Sequence, residues 1–460
     1  MSKQPFFLIS FIVTIINCSN FVSTLSSDSL SRSISVPRNY SGHTVVKLLS
    51  NEVPKLFPFF NGSTLSHQQG SKNSDNELEE LWTVNEMNST FSVLRLGPAH
   101  RHRLKRSTGY SIISDDLQEW INRGFGPNIR SARSTKRIES VLVRDFRLDK
   151  YQPLDEIYRY LDELVNVAPV RVFDIGETHE GRKIKAIEIR GNSQDPRLVW
   201  IDATIHAREW ISPATIIYII EQALVTKAKV NFLMVPVFNP DGYEYSWTVD
   251  RLWRKNRRLS SSTSPLSPSS LPNLPRSADA MTEECNGVDL NRNFDASFDG
   301  QGSSDDVCSQ LYQGPSPFSE PETRSVGHLI WTMRKNIKLA ISIHSFSQLW
   351  ACPYAYDTAP TPHYREHMEV LKAIQDAVYK THGVQYTIGP LSTSLYVGSG
   401  FSMDWMYERA GIAHSYLVEL RDKGVYGFLL PADQIIPTAT ETWAGIKAAI
   451  YKVLDVKIRS

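Results

Sequence analysis

Four apolar runs in this chain each end in a side chain able to bind a metal or move a proton. Leu198-Val-Trp-Ile-Asp-Ala-Thr-Ile205 runs into His206-Ala-Arg208-Glu209, and Leu339-Ala-Ile-Ser-Ile343 ends at His344. Phe232 to Phe238 stops at Asn239-Pro-Asp-Gly242, and Tyr416-Leu-Val418 ends at Glu419. Short apolar runs bounded by turn residues read as central strands of an α/β sheet, buried on both faces. Sites in such sheets form outside the carboxyl ends of strands. Two His, two Glu and an Arg gathered at such an edge suggest a metal-assisted hydrolase.

A chain of 460 residues implies two folded units or one large one. Its hydrophobic content of 41% and charged content of 22% are ordinary for a soluble globular protein. A formal charge of +1 gives no reason to invoke nucleic acid or an anionic membrane as partner. Lys3, the apolar stretch Phe6 to Ile16 and the polar residues from Asn17 read as a secretory signal over residues 1–25. The stretch is shorter than the roughly 20 apolar residues of a spanning helix, so the expectation is a secreted protein. Cys285 and Cys308 flank a Gly/Ser/Asp-rich segment, which suits a disulfide worth about 3 kcal/mol in the chain-entropy model. Cys352, after Leu349-Trp350-Ala351, reads as a buried free thiol, with no base beside it in sequence.

Residues 26–137 are polar and Ser/Asn-rich, with strands expected at Thr44 to Leu49, Phe91 to Leu96 and Tyr110 to Ser114 and a short helix over Asp115 to Ile121. The sequons at Asn39, Asn61 and Asn88 fall here, which fits a small glycosylated α+β unit. Basic residues at Arg130, Arg133, Lys136 and Arg137 lie in a Ser-rich linker, where nicking is tolerated, and are favoured over Arg103 to Arg106 as a processing site. From residue 138 to 460, strands and helices alternate as one α/β domain, opening on a helix whose Leu154, Ile157, Leu161, Leu164 and Val165 should face the core. The Ser/Thr/Pro-rich Leu259 to Pro275 cannot bury apolar surface and reads as a surface loop.

A His-x-x-Glu pair alone means little, since about 0.6 such matches arise by chance at this composition. His363-Tyr-Arg-Glu366-His367 is an instructive decoy: it matches a zinc-protease pattern. Yet it opens a helix whose Met368, Leu371, Ile374 and Val378 face a core, and no strand delivers it to a sheet end. His206 and Glu209 follow a strand, and His344 ends a second one, so rigid backbone holds all three. Two imidazoles and a carboxylate leave a fourth zinc position open, the mark of a catalytic site.

Six segments together resemble the secreted zinc carboxypeptidases of the A/B type. They are His206-Ala-Arg-Glu209-Trp, Asn239-Pro-Asp-Gly242, Arg251-Leu-Trp-Arg254-Lys, Gly287-Val-Asp-Leu-Asn291-Arg292-Asn-Phe, Ser342-Ile-His344-Ser and Glu419-Leu-Arg-Asp422. The resemblance runs from about Asp149 to the C-terminus, and more weakly over the preceding segment, which is similar to that family's inhibitory prodomain. It implies a mixed eight-stranded sheet flanked by helices, preceded by a small α+β activation segment over 26–137. It also implies one Zn²⁺ per catalytic domain, held by His206, Glu209 and His344. Glu419 is similar to the family's general base and Arg254 to its oxyanion stabiliser, as their chemistry also suggests. Asn291 and Arg292 suit a free α-carboxylate, guanidinium pairing with carboxylate as a fork. Asp289 resembles the partner that orients His206. Tyr396 aligns with a mobile tyrosine that closes over substrate, and Arg208 with a residue lining the site. Met403 matches the base of the pocket for the departing side chain, with Leu417 beside it. Three departures stand out: a connection between Ala214 and Asn239 about ten residues short, the Leu259–Pro275 insert, and Phe401 where a glycine is usual.

The expectation is a secreted metallocarboxypeptidase, made as a zymogen and monomeric, with peptide C-termini as substrate and an activating protease as partner. Met403 predicts hydrophobic C-terminal residues. The rivals are an inactive binding protein on the same scaffold, and a zinc endopeptidase using His363 and His367.

Overall fold

The computed structural model describes residues 38–41, 43–49, 80–86, 89–97, 104, 110–125, 138–192, 194–260 and 285–458. The signal segment, Asn61, Asn88, Arg130 to Arg137 and most of the Leu259–Pro275 insert lie outside the described residues.

The N-terminal described segments form an antiparallel sheet in the order β2-β3-β1-β4, from β1 (Thr44–Leu49), β2 (Glu80–Glu86), β3 (Ser89–Leu96) and β4 (Tyr110–Ser114), followed by helix α1 (Leu117–Phe125). β2 was not anticipated from the sequence, and α1 runs four residues beyond the expected Ile121. Asn39 is exposed, its carboxamide oxygen accepting from Ser41 N at 2.9 Å and Ser41 Oγ at 2.7 Å.

The remainder is built on β5 (Val170–Glu177), β6 (Lys183–Arg190), β7 (Leu198–Ala203), β8 (Asn231–Val235), β9 (Ile337–His344), β10 (Leu349–Cys352), β11 (Thr387–Pro390) and β12 (Ser415–Glu419). They form one mixed eight-stranded sheet in the order β11-β10-β12-β9-β7-β8-β6-β5. The strands read from the four apolar runs are neighbours at its centre, β12, β9, β7 and β8, and every pairing among them is parallel. Their carboxyl ends therefore open on one edge.

The unbroken hydrophobicity of those runs has its reason in burial on both faces. Val199, Ile201, Leu339, Ile341, Ile343, Phe232 and Met234 join one core, and Leu198, Trp200, Ala340, Leu233 and Val235 the other, an alternation of period two. The first core is covered by α2 (Leu154–Val167), α3 (Ile211–Val225), α6 (Tyr364–His382) and α9 (Ile435–Leu454). The second is covered by α5 (Pro321–Met333) and α8 (Ser402–Glu408), the latter following the short α7 (Leu391–Ser394) in the chain. In α2 the buried stripe is Leu154, Ile157, Tyr160, Leu161 and Leu164, whereas Val165, expected in the core, is 49% exposed. One residue advances the helix by about 100°, so Val165 turns off the face that Leu164 occupies. Tyr160 takes the inner position, its hydroxyl donating to Glu221 at 2.8 Å.

Tyr40, Val45 and Leu117 from the N-terminal segments bury against Leu252, Phe346, Phe428 and Leu429. Tyr40 donates to Asp250 Oδ1 at 2.5 Å and Arg38 to Asp250 Oδ2 at 3.2 Å. Among the described residues no helix is long and apolar enough to cross a membrane.

Candidate active site

β7 hands the chain to the site through Thr204, a buried β-branched residue at φ 64°. That left-handed conformation costs energy for such a side chain and is held by neighbours, here by Oγ1 donating to Pro236 O at 2.9 Å. The turn presents His206 and, at the mouth of α3, Glu209. From β9 comes His344. His206 Nδ1 lies 2.7 Å from Glu209 Oε1, His344 Nδ1 lies 3.3 Å from Glu209 Oε2, and the two Nδ1 atoms are 3.2 Å apart. All three side chains are buried, and one donor atom of each falls within 4.8 Å of the others.

Their outer contacts fix which atoms face inward. His206 Nε2 donates to Asp289 Oδ1 across 3.1 Å, which leaves Nδ1 a lone pair. His344 Nε2 sits 3.2 Å from Ser342 Oγ, which donates to Asp202 Oδ1 at 2.6 Å. Trp200 Nε1 also donates to Asp202, at 2.7 Å. Burial, aided by the Arg254 charge, lowers the pKa of His206 and keeps it neutral, the form that ligates. Burial alone would raise Glu209, but His206 and His344 outweigh it and hold the carboxylate ionised. Two imidazoles and one carboxylate whose donor atoms face one another fit a borderline divalent cation such as zinc.

Around this triad, Arg254 donates from Nε and Nη2 to Asp289 Oδ2 at 3.0 and 2.8 Å, so Asp289 serves an imidazole and a guanidinium at once. Glu419, at the end of β12, is the register partner of His344. Its Oε2 is buried with no hydrogen-bond partner among the described residues. Burial and then the nearby Glu209 charge push its pKa well above the usual carboxylate range, with Arg254 opposing. A carboxyl so poised gains from accepting a proton.

Asn291 and Arg292 are fully buried in a short 3₁₀ turn, Leu290–Arg292. Asn291 Oδ1 accepts from Ser402 N at 2.9 Å, and its Nδ2 lies 3.5 Å from His344 Nε2. Arg292 donates from Nε to Gly302 O at 2.7 Å and from Nη1 to Asn291 O at 2.9 Å, while Nη2 has no partner among the described residues. The rings of Phe401 and Tyr396 lie over it, 4.4 and 5.8 Å from the guanidinium carbon. Gly400, at φ 74°, makes that approach possible: a Cβ there would meet Arg292 O at 2.1 Å. Phe401, Met403 and Leu417 share one buried apolar cluster with Leu349, Ala351 and Leu391, and Tyr396 packs against it half-buried. Arg208 is buried with Phe428 under its guanidinium at 4.2 Å.

Two features differ from the reading of the sequence or were absent from it, whereas the helical decoy motif behaves as expected. Asn239 and Asp241 end the fourth apolar run but hold structure: Asn239 Oδ1 caps Gly242 N of α4 (Pro240–Thr248) at 2.9 Å, and its Nδ2 ties Ile205 O to Lys255 O. Asp241 accepts from Thr178 Oγ1 at 2.7 Å and Glu180 N at 2.8 Å. The Asp202–Ser342 relay behind His344 went unnoticed, although a lone Asp inside the run ending at Ile205 was a legible signal. His363 and His367 join no group of donors able to hold a metal among the described residues. His367 contacts Ala413 O and Thr361 Oγ1 at 2.7 and 3.2 Å, and His363 contacts the Tyr407 hydroxyl at 2.9 Å. Cys285 and Cys308 are disulfide-bonded, and Cys352 is a buried free thiol.

Compared with known proteins, residues 157–445 match the zinc carboxypeptidase family. Carboxypeptidase B of Astacus astacus is 39% identical over 315 residues, covering 66% of this chain and 97% of its own. Human carboxypeptidase A5 is 36% identical over 359 residues, 75% of this chain and 76% of its own. The crystal structure of carboxypeptidase A from Helicoverpa armigera superposes with a TM-score of 0.71 at 27% identity, covering 90% of this chain and 98% of that one.

Proposed function

Because the chain belongs to the zinc carboxypeptidase family, we propose that it is a secreted enzyme, made as a zymogen, that removes hydrophobic residues from the C-termini of peptides and proteins. His206, Glu209 and His344 would hold the zinc ion. When bound, zinc supplies Lewis acidity that polarises the scissile carbonyl and acidifies water. Glu419 takes the proton from the attacking water and passes it to the departing amine, a role its raised proton affinity suits. Arg254, held in place by Asp289, stabilises charge developing on the carbonyl oxygen. Asn291 and Arg292, with its spare Nη2, receive the substrate's α-carboxylate, which limits attack to the last peptide bond. Arg208 and Tyr396 line the approach.

The observation that carries the specificity is the apolar cluster around Met403. The relatives bear both A and B names, so the pocket decides rather than the names. Burying a Lys ammonium against Met403 and Leu417 without a partner would cost several kcal/mol. An apolar side chain instead gains about 25 cal/mol per Å² removed from water. The disulfide supports an oxidising, extracellular destination. The packing of Tyr40, Val45 and Leu117 on Phe428, whose ring lies under Arg208, supports an N-terminal segment that screens the site until cleaved near residues 130–137. The presence of all three ligand residues with Glu419 and Arg254 argues against an inactive binding protein.

The test compares kcat/KM of the zinc-loaded, trimmed chain for peptides ending in Leu, Phe, Lys and Glu, then repeats it with Met403→Asp. Leu or Phe should lead, and Met403→Asp should move preference toward Lys. Preference for Lys or Glu in the unaltered chain overturns the specificity, and no release of any C-terminal residue overturns the activity.

A further inference from the structure

We propose that the chain carries a second divalent-cation site, apart from the catalytic centre, formed by His179, Glu320 and Glu322 and suited to zinc. His179 lies in the turn between β5 and β6, Glu320 directly precedes α5, and Glu322 lies in its first turn. One donor atom of each falls within 4.8 Å of the other two, the same closeness that gathers His206, Glu209 and His344. His179 Nε2 is 2.8 Å from Glu320 Oε2; both carboxylates are buried, whereas the imidazole is part-exposed, so an ion has a route in from solvent.

Asn256 turns the two carboxylates toward each other. Its Nδ2 donates to Glu320 Oε2 at 2.8 Å and to Glu322 Oε2 at 3.0 Å. The amide orientation is fixed, since Oδ1 accepts Val288 N at 2.8 Å and Arg258 N at 3.3 Å. Glu320 is well satisfied, with Arg258 and Ser319 donating to Oε1 at 2.8 and 2.7 Å. Glu322 is not: its Oε1 is fully buried and has no hydrogen-bond partner among the described residues. Arg258 supplies the charge opposite Glu320, but a second buried carboxylate beside it is costly unless a proton or a further cation lies with it. One imidazole with two carboxylates is a zinc-type donor set that leaves a position for water, whereas Ca²⁺ takes about six to eight oxygens.

The site would also brace the catalytic centre. Asn256 pairs with Val288 through its backbone as well, Asn256 N donating to Val288 O at 3.0 Å. The next residue, Asp289, holds both Arg254 and His206.

The test counts zinc. The full chain is stripped with a chelator, exposed to excess Zn²⁺, desalted into metal-free buffer and analysed for zinc per chain by mass spectrometry. Two ions are expected in the unaltered chain, and one in His179→Ala or Glu322→Gln. Trimmed His179→Ala should still cleave a peptide ending in Leu. His206→Ala should lose activity yet keep one ion, and its melting temperature should rise with Zn²⁺, a rise absent from His206→Ala/His179→Ala. The part-exposed His179 makes its variant a safe carrier of the test should Glu322→Gln misfold. A single ion in the unaltered chain, or equal counts with and without His179, overturns the proposal. Neither outcome bears on the catalytic reading, which the His206 variant tests separately.

Discussion

The ring of Phe401 lies over the guanidinium of Arg292, its centroid 4.4 Å from the guanidinium carbon, and both side chains are buried. One aromatic ring thus covers the group proposed to bind the substrate's carboxylate and fills space in the cluster of Met403 and Leu417. Phe401→Gly should enlarge the pocket and favour bulky ends. We expect kcat/KM for peptides ending in Trp to rise roughly tenfold relative to Leu, the low end of what one methylene is worth in an apolar pocket. An unchanged Trp-to-Leu ratio would show that the ring does not limit the pocket.

Glu419 and the three metal-ligating candidates should fail differently. Glu419→Gln should lower turnover by about 10²- to 10⁴-fold while the chain retains its catalytic zinc. His344→Ala should lose that ion, because one imidazole and one carboxylate no longer suffice. Zinc content measured beside activity separates the two, and near-normal turnover in Glu419→Gln would refute its role.

Ser342 bridges His344 to Asp202 at the centre of the sheet. Ser342→Ala leaves Asp202 and the outer nitrogen of His344 without that link, although it touches neither metal nor substrate. Loss of such an orienting partner typically costs about 10- to 100-fold in metal affinity or activity. Competition with a zinc chelator reads the affinity directly, and unaltered affinity and activity would count against the relay.

Latency makes a separate prediction. The uncut chain should hydrolyse peptides slowly, and trypsin-like cleavage between residues 130 and 137 should release activity. Cutting near Arg103 to Arg106 should matter less, since part of the screening segment stays attached. Equal rates before and after trimming would remove the zymogen reading.

Burial pushes the Cys352 thiol up to about 12, so it carries almost no thiolate at pH 8. Iodoacetamide should leave it unmodified in the native chain and alkylate it once urea unfolds the protein. Peptide mass mapping decides, and ready labelling of native Cys352 would contradict its burial.

Much of the fold and the core of the site could be read from residue order. A run such as Leu198 to Ile205 needs apolar partners on both faces, and only a central strand offers them, so its position in the sheet and the edge receiving His206 both followed. Local pattern misled where angle or identity mattered more than hydrophobicity. Val165 is apolar yet turns to solvent, and Glu80–Glu86 pairs as a strand that its own composition does not announce.

What the sequence alone determined is chemical: two imidazoles, two carboxylates and a guanidinium near strand ends, with Met403 rather than a carboxylate at the position proposed for the pocket's base. The tertiary structure alone decided which of the four run ends face the site. Asn239 and Asp241 sit at one of them yet serve as clamps, because backbone groups from Ile205, Lys255 and Glu180 reach them there. It also decided that Phe401 lies on Arg292, that Asp202 steadies His344 through Ser342, and that His179 meets Glu320 and Glu322. Each pairing joins residues far apart in the chain whose separate identities are unremarkable. Hydrogen bonds and ring contacts act over a few ångströms, and only the closed sheet brings such residues that near.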